Sequence, residues 1–421
     1  MPMSSYELSI VRRMVDVPRH EWDALAARYR SPFYSWGFLA LLEESGSICP
    51  DTGWTPLHFL LRREGKLAAA APFYGKSHSM GEFVFDFEFA MLADKLGAAY
   101  YPKLVGMIPA TPVPLWKPLV ALGEDEDEAA ATLMDAASRA AKAADFGALQ
   151  VNWPADGFAP DRFILSGEER ATGRFREWRH SSFLWRDEGY GDFARYLASF
   201  SKNMRRNVLR ERRAVAEAGI ATRMVSAAEA AATPGLLSLM ADLYEATNDK
   251  FGPWGAKFLT RDFFLRLPEF LDDGWILSAG YRKGRAYDGG RGGERGSPGG
   301  LPVALAFLFK DAESLYGRYW GTAERFDGLH FELCYYLPIE YALSVGLRRF
   351  DPGMGSEHKA RRGFRSVTVP SYHLVFDRRM DRAFAEYFPL LSREEEAYAA
   401  ALNEELPFKA DVRRQAFRPP I

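Results

Sequence analysis

The chain of 421 residues has only two cysteines, Cys49 and Cys334. Two thiols cannot build a disulfide framework or a cysteine-based zinc site. No stretch approaches the ~20 consecutive apolar residues of a membrane span. The opening Met-Pro-Met-Ser-Ser lacks the basic-then-apolar pattern of a secretion signal. Neither sign of charge is in excess: 54 Lys+Arg face 56 Asp+Glu, a formal net charge of −2. That balance argues against a generally basic nucleic-acid binder, DNA-binding proteins included, and against an acidic solvating chain, while leaving room for a local basic patch. The seven histidines are scattered with no pair at helical ligand spacing, so no metal site is expected. Standard catalytic signatures are also missing. There is no GxSxG elbow, HExxH, Walker A loop or GxGxxG after a strand. A soluble, cytoplasmic protein is expected.

Apolar material is plentiful. Hydrophobic residues make up 48% and aromatics 14%, enough for full cores. At ~100–200 residues per domain the length fits two domains. Strand-like and helix-like segments alternate along both halves. Each half runs through helices, strands of antiparallel type, a helix and a strand. The pattern predicts a mixed α/β (α+β) fold of two similar tandem domains, 1–173 and 174–421. Asp192–Ala218 reads as one long helix, and another is expected from Gly328, kinked or broken at Pro338. Between Lys283 and Leu301 the chain reads GRAYDGGRGGERGSPGG, with Gly at eight of seventeen positions. This insertion, 284–300, reads as a loop between two hairpin strands.

Three stretches stand out chemically. The first is KSHSMGEFVFD, 76–86, which follows a strand and can gather Ser, His and Glu in one concavity. The second is SKNMRRNVLRERR, 201–213. Lys202, Arg206 and Arg210 recur every four residues, so they form one helical ridge suited to phosphates. The third is the densest: LYGRYWG at 315–321, LHFELCYY at 329–336, FDPG at 350–353 and EHKARRGF at 357–364. There Glu332, Tyr336 and Glu340 form a polar stripe, and His358-Lys359 puts a titratable group and a cation on a turn-rich segment.

With SPFYSWGFLALLEESGS, TGWTP, AAPFYGKSHSMGEFVFD, YYPKL, LHFELCYYLPIEYAL and FDPGMGSEHKARRGF, these stretches spread from about residue 31 to 375. The chain resembles the FemAB-like family of peptidoglycan biosynthesis/recognition proteins, within the GNAT acyltransferase superfamily. The insertion 284–300 and Leu337-Pro338 depart from the family pattern. The resemblance implies two tandem GNAT-like domains, each a largely antiparallel mixed sheet flanked by helices.

It also implies similarity to Fem-type transferases, which move an aminoacyl group from tRNA to an amine on a peptidoglycan precursor. The expected function is an N-acyltransferase acting on an amine acceptor, a peptidoglycan precursor or an amino acid. The alternative is a catalytically silent protein that binds a cell-wall peptide or precursor. No tightly bound cofactor is expected, and acyl-CoA or aminoacyl-tRNA enters as the donor substrate. The chain lacks both a charged coiled-coil arm for tRNA and the usual acetyl-CoA pyrophosphate loop, so both donors stay open. Glu332 or His358 is the expected proton acceptor, and Tyr316 or Tyr336 the hydrogen-bond donor. Lys202, Arg205, Arg206 and Lys359 would hold the donor, and Lys76, His78, Glu82 and Glu340 the acceptor.

Overall fold

The computed structural model describes residues 6–162, 174–252, 255–283, 300–355 and 357–409. The chain divides into two compact units. The first is Met1–Ser182 with Val367–Ala399, and the second is Phe183–Ser366 with Ala400–Ile421. The sequence drew a single boundary at 173. The structure sets it at Ser182 and returns 367–399 to the first unit, because a strand made late in the chain completes the earlier sheet.

In the first unit β1 (Glu7–Val11), β2 (Trp54–Arg63), β3 (Lys66–Lys76) and β4 (Lys103–Gly106) pair in that order, all antiparallel. The short β5 (Leu119–Val120) lies off this path, on β3. Then β4 pairs in parallel with β6 (Ala148–Asn152). Glu64 and Gly65, both with positive φ (52° and 76°), make the tight β2–β3 turn, a backbone conformation that suits the twist of a two-residue hairpin. Helix Glu126–Ala143 connects β5 to β6. Asp125 caps it by accepting from the Glu128 amide at 2.9 Å, and Glu126, Asp127 and Glu128 place negative charge at its positive end.

The second unit repeats the scheme. Within β7 (Arg176–Arg186) residues 183–186 belong to it. With β8 (Ile220–Ser226), β9 (Trp275–Arg282), β10 (Ala304–Lys310), β11 (Ser314–Thr322) and β12 (Arg349–Asp351), its order is β8-β9-β10-β11-β12-β7. The first three pairings are antiparallel, β11–β12 is parallel and β12–β7 is antiparallel. In the first unit the matching sixth strand is β13 (Arg365–Val375), antiparallel to β6. The two units therefore share one strand plan, and each has the mixed, largely antiparallel sheet flanked by helices that was expected. The insertion joins β9 to β10, which pair antiparallel; positions 284–299 lie outside the described residues.

Three local readings differ from the sequence. The expected helix 192–218 is two helices, Phe193–Ala198 and Lys202–Glu217. Ser201 between them donates its amide to the Pro407 carbonyl at 2.7 Å, so the backbone there is spent on a strand-like contact rather than a helical turn. The helix after Gly328 is not broken at Pro338. Residues Leu329–Phe331, a π-turn at Glu332–Tyr336 and Leu337–Val345 follow one another, and the π-turn's wider spacing absorbs the proline's missing N–H. Gly328 occupies the cap position. Finally, helix Arg378–Glu404 was not anticipated. Its Met380, Phe384 and Phe388 join Phe89 and Trp178 in a core cluster of the first unit.

Candidate active site

In the second unit β11 and β12 pair only over Ser314–Tyr316 and Arg349–Asp351. Beyond that point they part. A bulge helps to turn β11 away: Phe307 of β10 faces Tyr319 while Leu308 faces Gly317, so Arg318 is an extra residue. Between the parted strands lies a cleft of ≈ 270 Å³. Arg318 and Trp320 line it from β11, Met354 from the chain after β12, His330 and Cys334 from the π-turned helix, and Lys359 from the 3₁₀ segment Glu357–Arg362.

A buried ion pair braces the start of the gap. Arg318 Nη2 donates to Asp351 Oδ2 at 2.9 Å, with side-chain exposures of 3% and 8%. Asp351 Oδ1 also accepts the Gly353 amide at 2.7 Å. Gly353 has φ +77° and comes so near the Gly317 carbonyl that a β-carbon would crowd it, so glycine is the residue that lets the chain turn there.

Lys359 is buried, with its ammonium donating to the carbonyls of Gly353 at 2.7 Å and Met354 at 2.6 Å. Burial brings its pKa down to about 8, Asp351 opposing the shift and Arg318 adding to it. His330 packs on Trp320 with ring centroids 4.7 Å apart. Burial, then the nearby Arg362 and Lys359 cations, lower its pKa to about 4, so the imidazole is neutral near pH 7. Burial pushes the Cys334 thiol far above its usual range, which leaves it protonated and unreactive.

Of the side chains chosen from sequence, Lys359 lines this cleft. Glu332 lies on the other side of its helix, where Arg212 holds it through Nε at 2.9 Å and Nη2 at 3.0 Å. Burial raises its pKa, with Arg212 opposing. Glu340 shares the same arginine at 2.7 Å. Tyr336 donates to Glu211, which Arg362 also engages at 2.9 Å. The polar stripe thus faces the basic helix. Tyr316 donates to Asp311 at 2.7 Å. His358 is exposed, its ring against Phe331 and its carbonyl accepting from Arg362 at 3.0 Å. Lys202 and Arg206 are exposed, Arg205 is half-buried, and none has a side-chain partner among the described residues. His330 had no spacing signal in the sequence; its neighbours Trp320 and Lys359 come from distant segments.

The stretch 76–86 belongs to the first unit and is largely inward-facing. Lys103 of β4 is fully buried and donates to Ser79 at 2.7 Å, Asp86 at 2.6 Å and Glu82 at 2.9 Å. Burial opposes the Lys103 charge, but Asp86 and Glu82 outweigh it and raise its pKa. Burial raises the pKa of Glu82. Lys76 donates to the Met80 carbonyl at 3.0 Å and lies over the Trp54 ring, and burial lowers its pKa to about 7. His78 packs against Gly53, and burial, then Lys76, lower its pKa.

The first unit also has a parallel pair, β4–β6, but the space beyond it is filled. Trp116 bridges Pro154 in parallel, its amide donates to the Trp153 carbonyl at 3.1 Å, and its indole N–H donates to the Pro72 carbonyl at 2.9 Å. Between 114 and 122 the strand pairings are this bridge and β5. Among the described residues no group of three or more His, Cys, Asp or Glu is placed to hold a metal, and no helix is long and apolar enough to cross a membrane.

The FemAB-like family of peptidoglycan biosynthesis/recognition proteins matches residues 13–410, and the chain belongs to it. No curated protein matches. Among solved structures the chain is similar to FemX, at 14% identity over 89% of this chain and 99% of that one, TM-score 0.49. A tandem GNAT protein from the clavulanic acid biosynthesis pathway is similar at 12% identity, over 88% and 99%, TM-score 0.44. L-PGS from Bacillus licheniformis is similar at 10% identity, over 84% and 96%, TM-score 0.42.

Proposed function

We propose that the chain is an N-acyltransferase and that the second unit's cleft is where the acyl group is transferred. The observation that carries this reading is one buried ammonium, Lys359, and one neutral imidazole, His330, lining the same ≈ 270 Å³ space between parted strands. An amine nitrogen attacks the acyl carbonyl carbon of an activated ester or thioester. The new C–N bond forms, the bond to the donor's oxygen or sulfur breaks, and one proton leaves the amine. Lys359, already fixed by two carbonyls, turns its remaining N–H toward the carbonyl oxygen as negative charge develops. His330 takes the amine proton in its neutral form. Arg318 and Asp351 act as positioning residues that hold the gap open.

Family membership supports an acceptor from cell-wall synthesis, a peptidoglycan precursor or its amino-acid parts. Lys202, Arg205 and Arg206, without partners of their own among the described residues, are the cations offered to donor phosphates of acyl-CoA or aminoacyl-tRNA. The test incubates the protein with each donor and a panel of amines, and reads products by mass spectrometry. Acylated amine, with turnover cut about 10²–10³-fold in Lys359→Met, supports the reading. Tight ligand binding with no product from any donor replaces it with the binding role.

A further inference from the structure

The first unit carries a larger space that the acyl-transfer reading does not use. A groove of ≈ 530 Å³ crosses the face of its sheet beneath the end of helix Glu126–Ala143. That size lies within the range that holds small-molecule ligands. Its accessible lining is mostly apolar: Leu57 of β2, Ala140 of the helix and Phe146 stand half-buried around it, over the buried Phe59 and Leu104. Ile10 at its edge is 41% exposed and adds apolar surface to the lining. Ala144 stands exposed at the rim.

Two cations line it, Arg12 and the buried Lys76, whose ammonium donates to the Met80 carbonyl. Arg12 lines the groove just past β1, is exposed, and its side chain has no hydrogen bond or ion pair among the described residues. The singled-out stretch 76–86 meets the same space. Ser77 lines it, and the ring of His78 lies against Gly53 in its wall. A β-carbon at Gly53 would overlap that ring, so glycine lets the histidine close the wall.

An apolar trough whose mouth carries a solvated cation with no protein partner among the described residues is complementary to a molecule with an apolar body and an anionic end. A compact polar ligand would find few partners along Leu57, Ala140 and Phe146, and burying it there would carry a desolvation cost. We infer that this groove is a binding site for an aliphatic chain that ends in a carboxylate or a phosphate.

Isothermal titration of the full chain with hexanoate, octanoate, decanoate, decyl phosphate and decanol tests the assignment. The expected result is one site per chain, with Kd falling about fourfold per added methylene while the apolar lining is being covered. Ala144→Trp, at an exposed position that tolerates the larger ring, should weaken decanoate at least tenfold by filling the groove. Arg12→Gln should reduce decanoate to the affinity of decanol. Tighter binding of decyl phosphate assigns a phospholipid-type end and tighter binding of decanoate a free acid, and both uphold the site. Absence of saturation below the self-association concentration overturns it. So does unchanged binding in Ala144→Trp, or decanol matching decanoate in the unaltered protein.

Discussion

The indole of Trp116 lies against Gly106 so closely that a β-carbon on that glycine would overlap the ring. Gly106 ends β4, so the tryptophan occupies in the first unit the position that is a cleft in the second. The bulky side chain is itself fully buried. Trp116→Ala should lose about 3–5 kcal/mol of stability, read by urea unfolding. Indole added to the variant should raise its melting temperature by refilling the space. Acyl transfer by the second unit should be unchanged. If indole shifts the unaltered protein and the variant equally, the tryptophan is not filling a cleft of that shape.

Asp351 is the partner of Arg318 and the acceptor for the Gly353 amide. Asp351→Asn should destabilise the protein by roughly 3–5 kcal/mol, because it removes the carboxylate charge that faces a buried guanidinium. Arg318→Met with Asp351→Leu should recover much of that loss and still lack activity. Recovery of turnover in the double variant would show that the pair only fills space.

Lys359 has a pKa near 8. If its ammonium form serves the reaction, turnover should hold steady below that pH and fall as pH rises through it. Lys359→Arg should retain part of the activity and lose the alkaline limb. A limb unmoved by that substitution would place the titrating group elsewhere.

His330 has an ordinary unfolded pKa near 6.5 and a folded value of about 4. Between those values the unfolded chain binds more protons, so stability falls as pH drops through the window. The contribution is at most roughly 3.5 kcal/mol at 1.36 per pKa unit. His180 in the first unit, lowered to about 3 by burial, has the same sign. The relevant measurement is therefore the difference between the unaltered protein and His330→Phe in urea unfolding at pH 7 and pH 4.5. The variant should lose less stability on acidification, and parallel curves would remove the assignment.

Residues 284–300 join β9 to β10, which already pair as far as Gly280 with Ala304. Replacing the insertion by Asn-Gly should leave the melting temperature within a few degrees, since loop-closure cost changes only by about 0.6 kcal/mol per doubling of length. Collapse of folding would mean the segment contributes structure of its own.

Much of the architecture was legible because strand alternation and the acidic start of helix Glu126–Ala143 are local signals. The Glu64-Gly65 turn belongs with them. The site was legible only in part. Lys359, chosen from its turn-rich neighbourhood as a donor-binding cation, lines the cleft. Glu332, Tyr336 and Glu340 were correctly read as one polar stripe, but a helical period cannot say which neighbour a stripe meets, and here it meets Glu211 and Arg212. His330 was hidden because its place in the cleft depends on β11 bending away at Arg318. A bulge is a matter of register between strands, and no single strand's pattern records it. Ser201 broke a helix that its own periodicity supported, since its amide answers to Pro407 some two hundred positions later.

The late arrival of β13 has a consequence for synthesis. When the ribosome has finished β6 at Asn152, the edge that β13 will cover has no partner, and residue 375 is still to be made. At 5–20 residues per second the wait is roughly 10–45 s. During that interval the nascent first unit presents an open β-edge, a state prone to wrong pairing. A message truncated anywhere before β13 would release a product with that edge permanently bare. Chaperone dependence in the cell should therefore be concentrated on the amino-terminal half, although that half is the first to emerge.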